Sequence, residues 1–156
     1  MSTSRVYTVN QVLTAAQVKD FPQGVLGLAS ATADSSATSA ATELDILTAP
    51  AVTIAGAGRR LRIRFHARAL GASVAGDTFI LRIKEGATIL SESVYTAPGT
   101  GDNAVGSDFE AYVDSPTAAS HTYKLTAQRF NGTGTLTVRA SANGPMKLAV
   151  EDVGQV

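Results

Sequence analysis

Guanidinium groups and an imidazole recur at every second position in one stretch of the chain. Arg60, Arg62, Arg64, His66 and Arg68 stand between Leu61, Ile63, Phe65, Ala67 and Ala69, with Arg59 one step ahead. A row of planar cations can grip carboxylates on neighbouring strands, line a contact between subunits, or hold an anionic ligand. No carboxylate occurs between Asp45 and Asp77. Partners must therefore come from elsewhere, and Glu43, Asp45, Glu92, Asp108 and Glu110 are the candidates within the chain. If they do not answer the cations, a second subunit can. Arg60, Arg62, Arg64, His66 and Arg68 are accordingly the candidate subunit-interface residues. A nucleic-acid groove fits poorly, because no basic surplus or interleaved aromatic residues accompany the row.

Other reactive types are sparse. His66 and His121 are the only histidines, too few for a nitrogen-rich metal site, and His66 shares its face with cations that disfavour both protonation and metal binding. A serine, His121 and an aspartate would make a hydrolytic triad on paper, but no serine sits in a nucleophile-elbow pattern. Asp108 and Glu110 share a face at strand spacing, whereas glycosidase carboxylates come from separate elements. Gly56-Ala57-Gly58 lacks the third glycine and following helix of a dinucleotide loop and reads as a turn. Asn131-Gly132-Thr133 matches a glycosylation sequon, yet Asn131-Gly132-Thr133-Gly134 is also a strong hairpin signal. The expectation is a non-enzymatic protein with no catalytic residue, cofactor or metal.

Strict alternation from Gly58 to Leu70 calls for a long β-strand with one face in the core and one wet; a helix would scatter the arginines around its cylinder. Residues 1–23 differ from the rest. Val6-Tyr7-Thr8-Val9 suits an extended arm, and Thr14 with Gln17 makes a capping box, with Leu13 and Val18 as its staple. A helix of about two turns over Ala15–Asp20 follows, ended by Pro22. From Gly24 onward the pattern is all β. Strands are predicted over residues 24–30, 42–47, 51–54, 58–70, 77–84, 87–95, 107–114, 120–130, 135–140 and 146–151. Glu85-Gly86 is a tight turn between two of them, and 135–140 is expected to return antiparallel beside 120–130. About ten strands at roughly 8–12-residue spacing, without intervening helices, predict an antiparallel β-sandwich, first of all a jelly roll, over residues 24–156.

The bulk properties agree with one domain. The chain has 156 residues, 44% of them hydrophobic, and its 13 basic and 13 acidic side chains cancel. A net charge near zero argues against general nucleic-acid binding and leaves little repulsion between copies. With no cysteine, disulfides and thiolate metal sites are excluded. No apolar run is long enough to cross a bilayer as a helix, and Met1-Ser2-Thr3-Ser4-Arg5 lacks a secretory core, so synthesis in a cytoplasm is expected.

Two stretches resemble a known group. Tyr7-Thr8-Val9-Asn10-Gln11-Val12-Leu13-Thr14-Ala15-Ala16-Gln17 with Gly24-Val25-Leu26-Gly27 is similar to the N-terminal segment of small structural proteins of tailed bacteriophages. Tyr123-Lys124-Leu125-Thr126-Ala127-Gln128-Arg129, the run Gly132 to Ala140, and Leu148 to Gly154 resemble the closing strands of the same group. Together they cover about a third of the chain. The resemblance implies a minor tail, head-fibre or capsid-decoration protein on the virion exterior. Its jelly roll would be like the trimeric complement and tumour-necrosis-factor type. A homotrimer and a contact with the major capsid or a tail protein are then expected. The attachment arm would use Tyr7, Val9, Val12, Leu13, Val18 and Phe21. The chain is short beside tail-spike members and has no shaft, which favours a knob. A different expectation is a module for host-surface glycan, with the loops at 31–41 and 96–106 and with Tyr95 and Tyr112 as stacking platforms.

Overall fold

The computed structural model describes residues 21–39, 42–54, 58–103 and 106–156. The described residues form thirteen antiparallel strands and no helix. The predicted helix over Ala15–Asp20 and the arm positions Tyr7, Val9, Val12, Leu13 and Val18 lie outside them.

Eight strands carry most of the described residues. One four-stranded sheet runs β1 (Gly24–Ala31), β13 (Met146–Gln155), β4 (Arg59–Ala67), β9 (Ser107–Asp114). The other runs β2 (Leu44–Thr48), β11 (Tyr123–Asn131), β6 (Thr78–Glu85), β7 (Thr88–Thr96). A three-stranded sheet, β12 (Leu136–Arg139), β5 (Ala69–Ala72), β8 (Gly101–Asn103), and a two-stranded one, β10 (Ser120–His121) with β3 (Val52–Thr53), complete the fold. Alternation explains the core. Leu61, Ile63, Phe65, Leu148 and Val150 from the first sheet and Phe79, Leu81, Ile83, Tyr123 and Leu125 from the second belong to one buried cluster. Phe65 meets Phe109 edge to face at 5.6 Å, a preferred arrangement of two ring quadrupoles.

Several expectations change. The arginine strand does not continue to Leu70: β4 stops at Ala67, and Ala69–Ala72 is a separate strand between β12 and β8. Arg68 sits at this bend with its side chain against Gly144. The stretch 120–130 is likewise two strands, because Ser120 and His121 pair with Thr53 and Val52 while Tyr123 onward pairs with β2 and β6. The loop at 96–106 contains β8.

The predicted hairpin at Asn131–Gly134 is not formed, since β12 pairs with β5 and not with β11. Asp77 is the physical reason. This buried carboxylate accepts the backbone N–H groups of Thr133 (3.0 Å) and Gly134. A Cβ on Gly132, whose φ is +98°, would stand 1.9 Å from Asp77 Oδ1. The Asn-Gly turn is thus spent on cradling an anion, and the chain leaves it for another sheet. Glu85-Gly86 does form the tight turn expected of it, with β6 and β7 paired on either side and Gly86 at φ +55°.

Candidate functional site

The candidate site is the outer face of the first sheet. Odd positions of β4 turn inward, so Arg60, Arg62, Arg64 and His66 point out, and the flanking strands decide what they meet. On β9 the register sets Arg60 opposite Asp114, Arg62 opposite Tyr112, Arg64 opposite Glu110 and His66 opposite Asp108. On β13, Glu151 lies opposite Arg62.

The cations are answered within the chain. Arg60 donates from Nε and Nη2 to the two oxygens of Asp114, at 2.6 and 2.9 Å. Its guanidinium also stands 5.9 Å from the ring centroid of Tyr112. Arg62 reaches Glu151, with Glu110 4.0 Å from its Nε. Asp108 lies 3.2 Å from Arg64 Nη2 and 2.9 Å from His66 Nδ1. Tyr112 donates its hydroxyl to Glu110 at 2.8 Å. Charge pairing moves the titrations accordingly. The hydrogen bond from Arg60 holds Asp114 below the usual carboxylate range. Burial pushes the Asp108 carboxyl up, but hydrogen bonding and charge from His66, then Arg64, outweigh it and hold it low. Arg62 is raised by Glu151.

Of the partners expected for this row, only Asp108 and Glu110 serve. Glu43, Asp45 and Glu92 lie with the second sheet, where Glu43 receives Arg82 and Lys84, Glu92 receives Arg82, and Asp45 receives Lys124. Asp114 and Glu151 take their places. The reason is sheet order: β2 and β7 belong to the second sheet, where they flank β11 and β6, and neither pairs with β4.

Arg59 does not belong to the exposed row. It shares parity with Leu61, which the alternation of the sequence already implies, and it is 7% exposed beside Asp152 at 4%. Arg59 Nε and Nη2 both donate to Asp152, and Nη2 also donates to the carbonyl of Phe21 at 2.8 Å. A register shift in β13 between Asp152 and Gly154, with Gly154 at φ +112°, lets the Gly154 N–H close on the other Asp152 oxygen at 2.9 Å. This buried pair therefore ties Phe21, three residues before β1, to the end of the first sheet. Phe21 is the one candidate attachment residue among the described positions, and its ring is partly exposed.

The aromatic platforms separate. Tyr112 stays on the surface, but Tyr95 pairs opposite Phe79 and packs against the core, so it is withdrawn as a stacking surface. His121, in β10, is buried. Its Nδ1 lies 2.5 Å from Glu85 and its Nε2 2.9 Å from the Thr117 carbonyl, and its ring stacks on Tyr123 at 6.2 Å. Among the described residues its hydrogen-bond partners are Glu85 and the Thr117 carbonyl, and not the serine or aspartate of the paper triad. Among the described residues no group of three or more histidine, cysteine, aspartate or glutamate side chains could hold a metal.

No protein-family model matches the sequence, and no curated protein matches it. Among solved structures, the chain is similar to the infectious bursal disease virus VP2 subviral particle, at 15% identity and TM-score 0.44. It is also similar to the structure of the Gx strain of that virus, at 14% identity and TM-score 0.39. Each likeness covers 98% of this chain and 43% of the other, so the chain spans less than half of those proteins. Likenesses this distant establish neither a family nor a shared role.

Proposed function

We propose that the chain is a non-enzymatic structural protein of a tailed-bacteriophage particle. In this reading it is a capsid-decoration or head-fibre knob, trimeric, carried on the virion exterior. Residues 1–23 attach it and the sandwich forms the exposed body. A minor tail or baseplate position is the alternative placement for the same body.

The strand order is the observation that carries the reading beyond sequence resemblance. Numbered one to eight in chain order, the eight main strands pair first with eighth (β1–β13), second with seventh (β2–β11), third with sixth (β4–β9) and fourth with fifth (β6–β7). A four-strand ribbon folded back and rolled gives this nesting, which is the wrapping of a jelly roll. The resemblance of the terminal segments implied that same fold. Fold alone does not fix function, so the virion assignment leans on the sequence resemblance. The buried Arg59–Asp152 pair favours an arm that is held at its root, because it anchors the Phe21 carbonyl where the arm meets β1.

Immunogold labelling of intact particles with an antibody raised against residues 24–156 tests the placement. Label over the capsid is expected; label confined to the tail selects the alternative, and unlabelled particles that lack the protein by mass spectrometry refute the reading. Deleting residues 1–20 is expected to leave a folded protein that no longer binds particles stripped of it. Decoration that survives the deletion would refute the arm.

A further inference from the structure

We propose that the free edge of β1 is a docking strand for β1 of a second copy, which joins two sandwiches through a continuous antiparallel sheet. This goes beyond virion attachment and does not depend on it. The sheet order leaves β1 at one end of its sheet, so one row of its backbone N–H and C=O groups has no strand beside it among the described residues. Exposed edges invite pairing, and proteins normally guard them with charge, proline or a covering element. The other three edges of the two main sheets carry charge. The β9 edge has Asp108, Glu110 and Asp114, β2 is lined by Glu43 just before it and Asp45 within it, and β7 has Glu92. The strand Gly24–Ala31 carries none. It shows water two large apolar side chains instead, Val25 at 60% and Leu28 at 48% exposure.

Self-complementarity picks the occupant. Val25 and Leu28 stand on the same outer face, opposite Glu151 and Ala149 of β13, because a register shift at Leu26 lies between them. A regular strand laid along this edge would fall out of step at that extra residue. A second β1, turned by a two-fold axis between Leu26 and Gly27, carries the same extra residue at the same place. It sets Val25 against the partner's Leu28, and Leu28 against the partner's Val25, on one face. Any other edge of the two main sheets of a second copy would bring a carboxylate-bearing strand against these apolar groups. An isologous contact of this kind is self-closing. An eight-residue strand is about 27 Å long, short for a standard interface of roughly 1,600 Å². The contact is therefore expected to be weak alone and to act where copies are crowded. If a trimer forms through another face, the same edge joins one trimer to the next.

Sedimentation of the full chain from about 1 µM to about 1 mM, a range that brackets weak association, tests the proposal. The limiting mass of the wild type is expected to be at least twice that of Leu28→Lys, with the dissociation constant raised at least tenfold by Leu28→Lys or Val25→Lys. Leu28→Thr, which puts a strand-compatible β-branched side chain at this position should lysine disturb folding, is expected to weaken association in the same direction. Hydrogen exchange of the β1 amides should slow as concentration rises. Variants that sediment like the wild type throughout overturn the proposal. So does β1 protection that is equal at every concentration, which would mean that the chain's own residues cover the edge.

Discussion

Asp77→Ala should be among the more damaging single substitutions in this protein, although Asp77 lies far from the arginine row. The carboxylate accepts the N–H groups of Thr133 at 3.0 Å and of Gly134, and Asp77 is only 6% exposed. Hydrogen bonds to a charged acceptor contribute about 1.5–3 kcal/mol each. Thr133 is exposed and water can partly replace its bond, so its share is at the low end; Gly134 is buried and its N–H would be stranded. The sum is about 3.5 kcal/mol. For a domain of this size each kcal/mol moves Tm by about 2–4 °C, so a fall of roughly 7–14 °C is expected.

Gly132 gives an internal check. Gly132→Ala drives a methyl to 1.9 Å from Asp77 Oδ1 at φ +98°, so it must displace the carboxylate or the turn. In an Asp77→Ala background the clash is gone, and only the backbone strain of about 1–2 kcal/mol remains. The two substitutions should therefore be strongly non-additive, with a coupling of about 1–3 kcal/mol. Urea unfolding followed by far-UV circular dichroism measures all three variants. Asp45→Ala, which removes the half-exposed partner of Lys124, serves as a reference and should cost less than about 1 kcal/mol. An Asp77→Ala loss no larger than that of Asp45→Ala, or strict additivity with Gly132→Ala, would refute the cradle.

Other outcomes follow from the same geometry. Both ring nitrogens of His121 face acceptors, and the Thr117 carbonyl, then Glu85, raise its pKa against the opposing effect of burial. Its stabilisation is complete below the ordinary histidine value of about 6.5 and fades as pH rises through the raised folded value; the urea midpoint should fall between pH 6 and pH 8, and His121→Gln should flatten that slope. On the acid side, Asp34 is held low by the Ala140 N–H and Arg139, and Glu43 by Lys84 and Arg82. Their contribution is present above the normal carboxylate range and lost as pH drops through the lowered folded values, so Glu43→Gln should lessen the loss of stability on acidification below that range, read from urea midpoints across the acid limb. Gly27→Ala would place its Cβ 2.8 Å from Val52 Cγ1 and 3.3 Å from the Pro50 carbonyl; overpacking of about 1–3 kcal/mol should appear in the same melts, partly relieved by Val52→Ala. Arg64→Ala should leave the wild-type melting temperature nearly unchanged and reduce its dependence on salt, because its pair with Asp108 is exposed to solvent.

Alternation made the core of β4 legible, since Leu61, Ile63, Phe65 and Ala67 could fill one face only. It also held Arg59, whose odd position puts it with Leu61; grouping it by charge with its neighbours hid that. The bend at Arg68 was not legible, because the side-chain pattern continues through it while the hydrogen-bond partners change from β13 and β9 to β12 and β8. The turn at Asn131–Gly134 misled for a related reason. An Asn-Gly pair reports local backbone freedom, and what used that freedom was Asp77, more than fifty residues away. Partner choice for the arginines was half legible. Asp108 and Glu110 follow from proximity of strand types, but Glu43, Asp45 and Glu92 could be assigned only once the strand order was known.

The paired arginines bear on where such a protein can assemble. A second subunit that docks on the outer face of β4 meets guanidinium groups that already hold Asp114, Glu151 and Asp108. It would have to offer carboxylates in better positions and strip water from both sides, and exchange of one ion pair for another yields little net free energy. The β1 edge asks for no such exchange. Its backbone groups have water to give up and a strand to gain, and Val25 and Leu28 gain by leaving solvent. The two surfaces belong to one sheet, separated by β13 alone. Charge on β4 and β9 thus acts as the guard that confines pairing to the opposite edge, and neutralising Asp108 and Glu110 together should open β9 as a second docking strand. Association of that double variant beyond the wild-type limiting mass, with chain-like rather than closed assemblies, is the expected result; an unchanged limiting mass would mean that something other than charge protects β9.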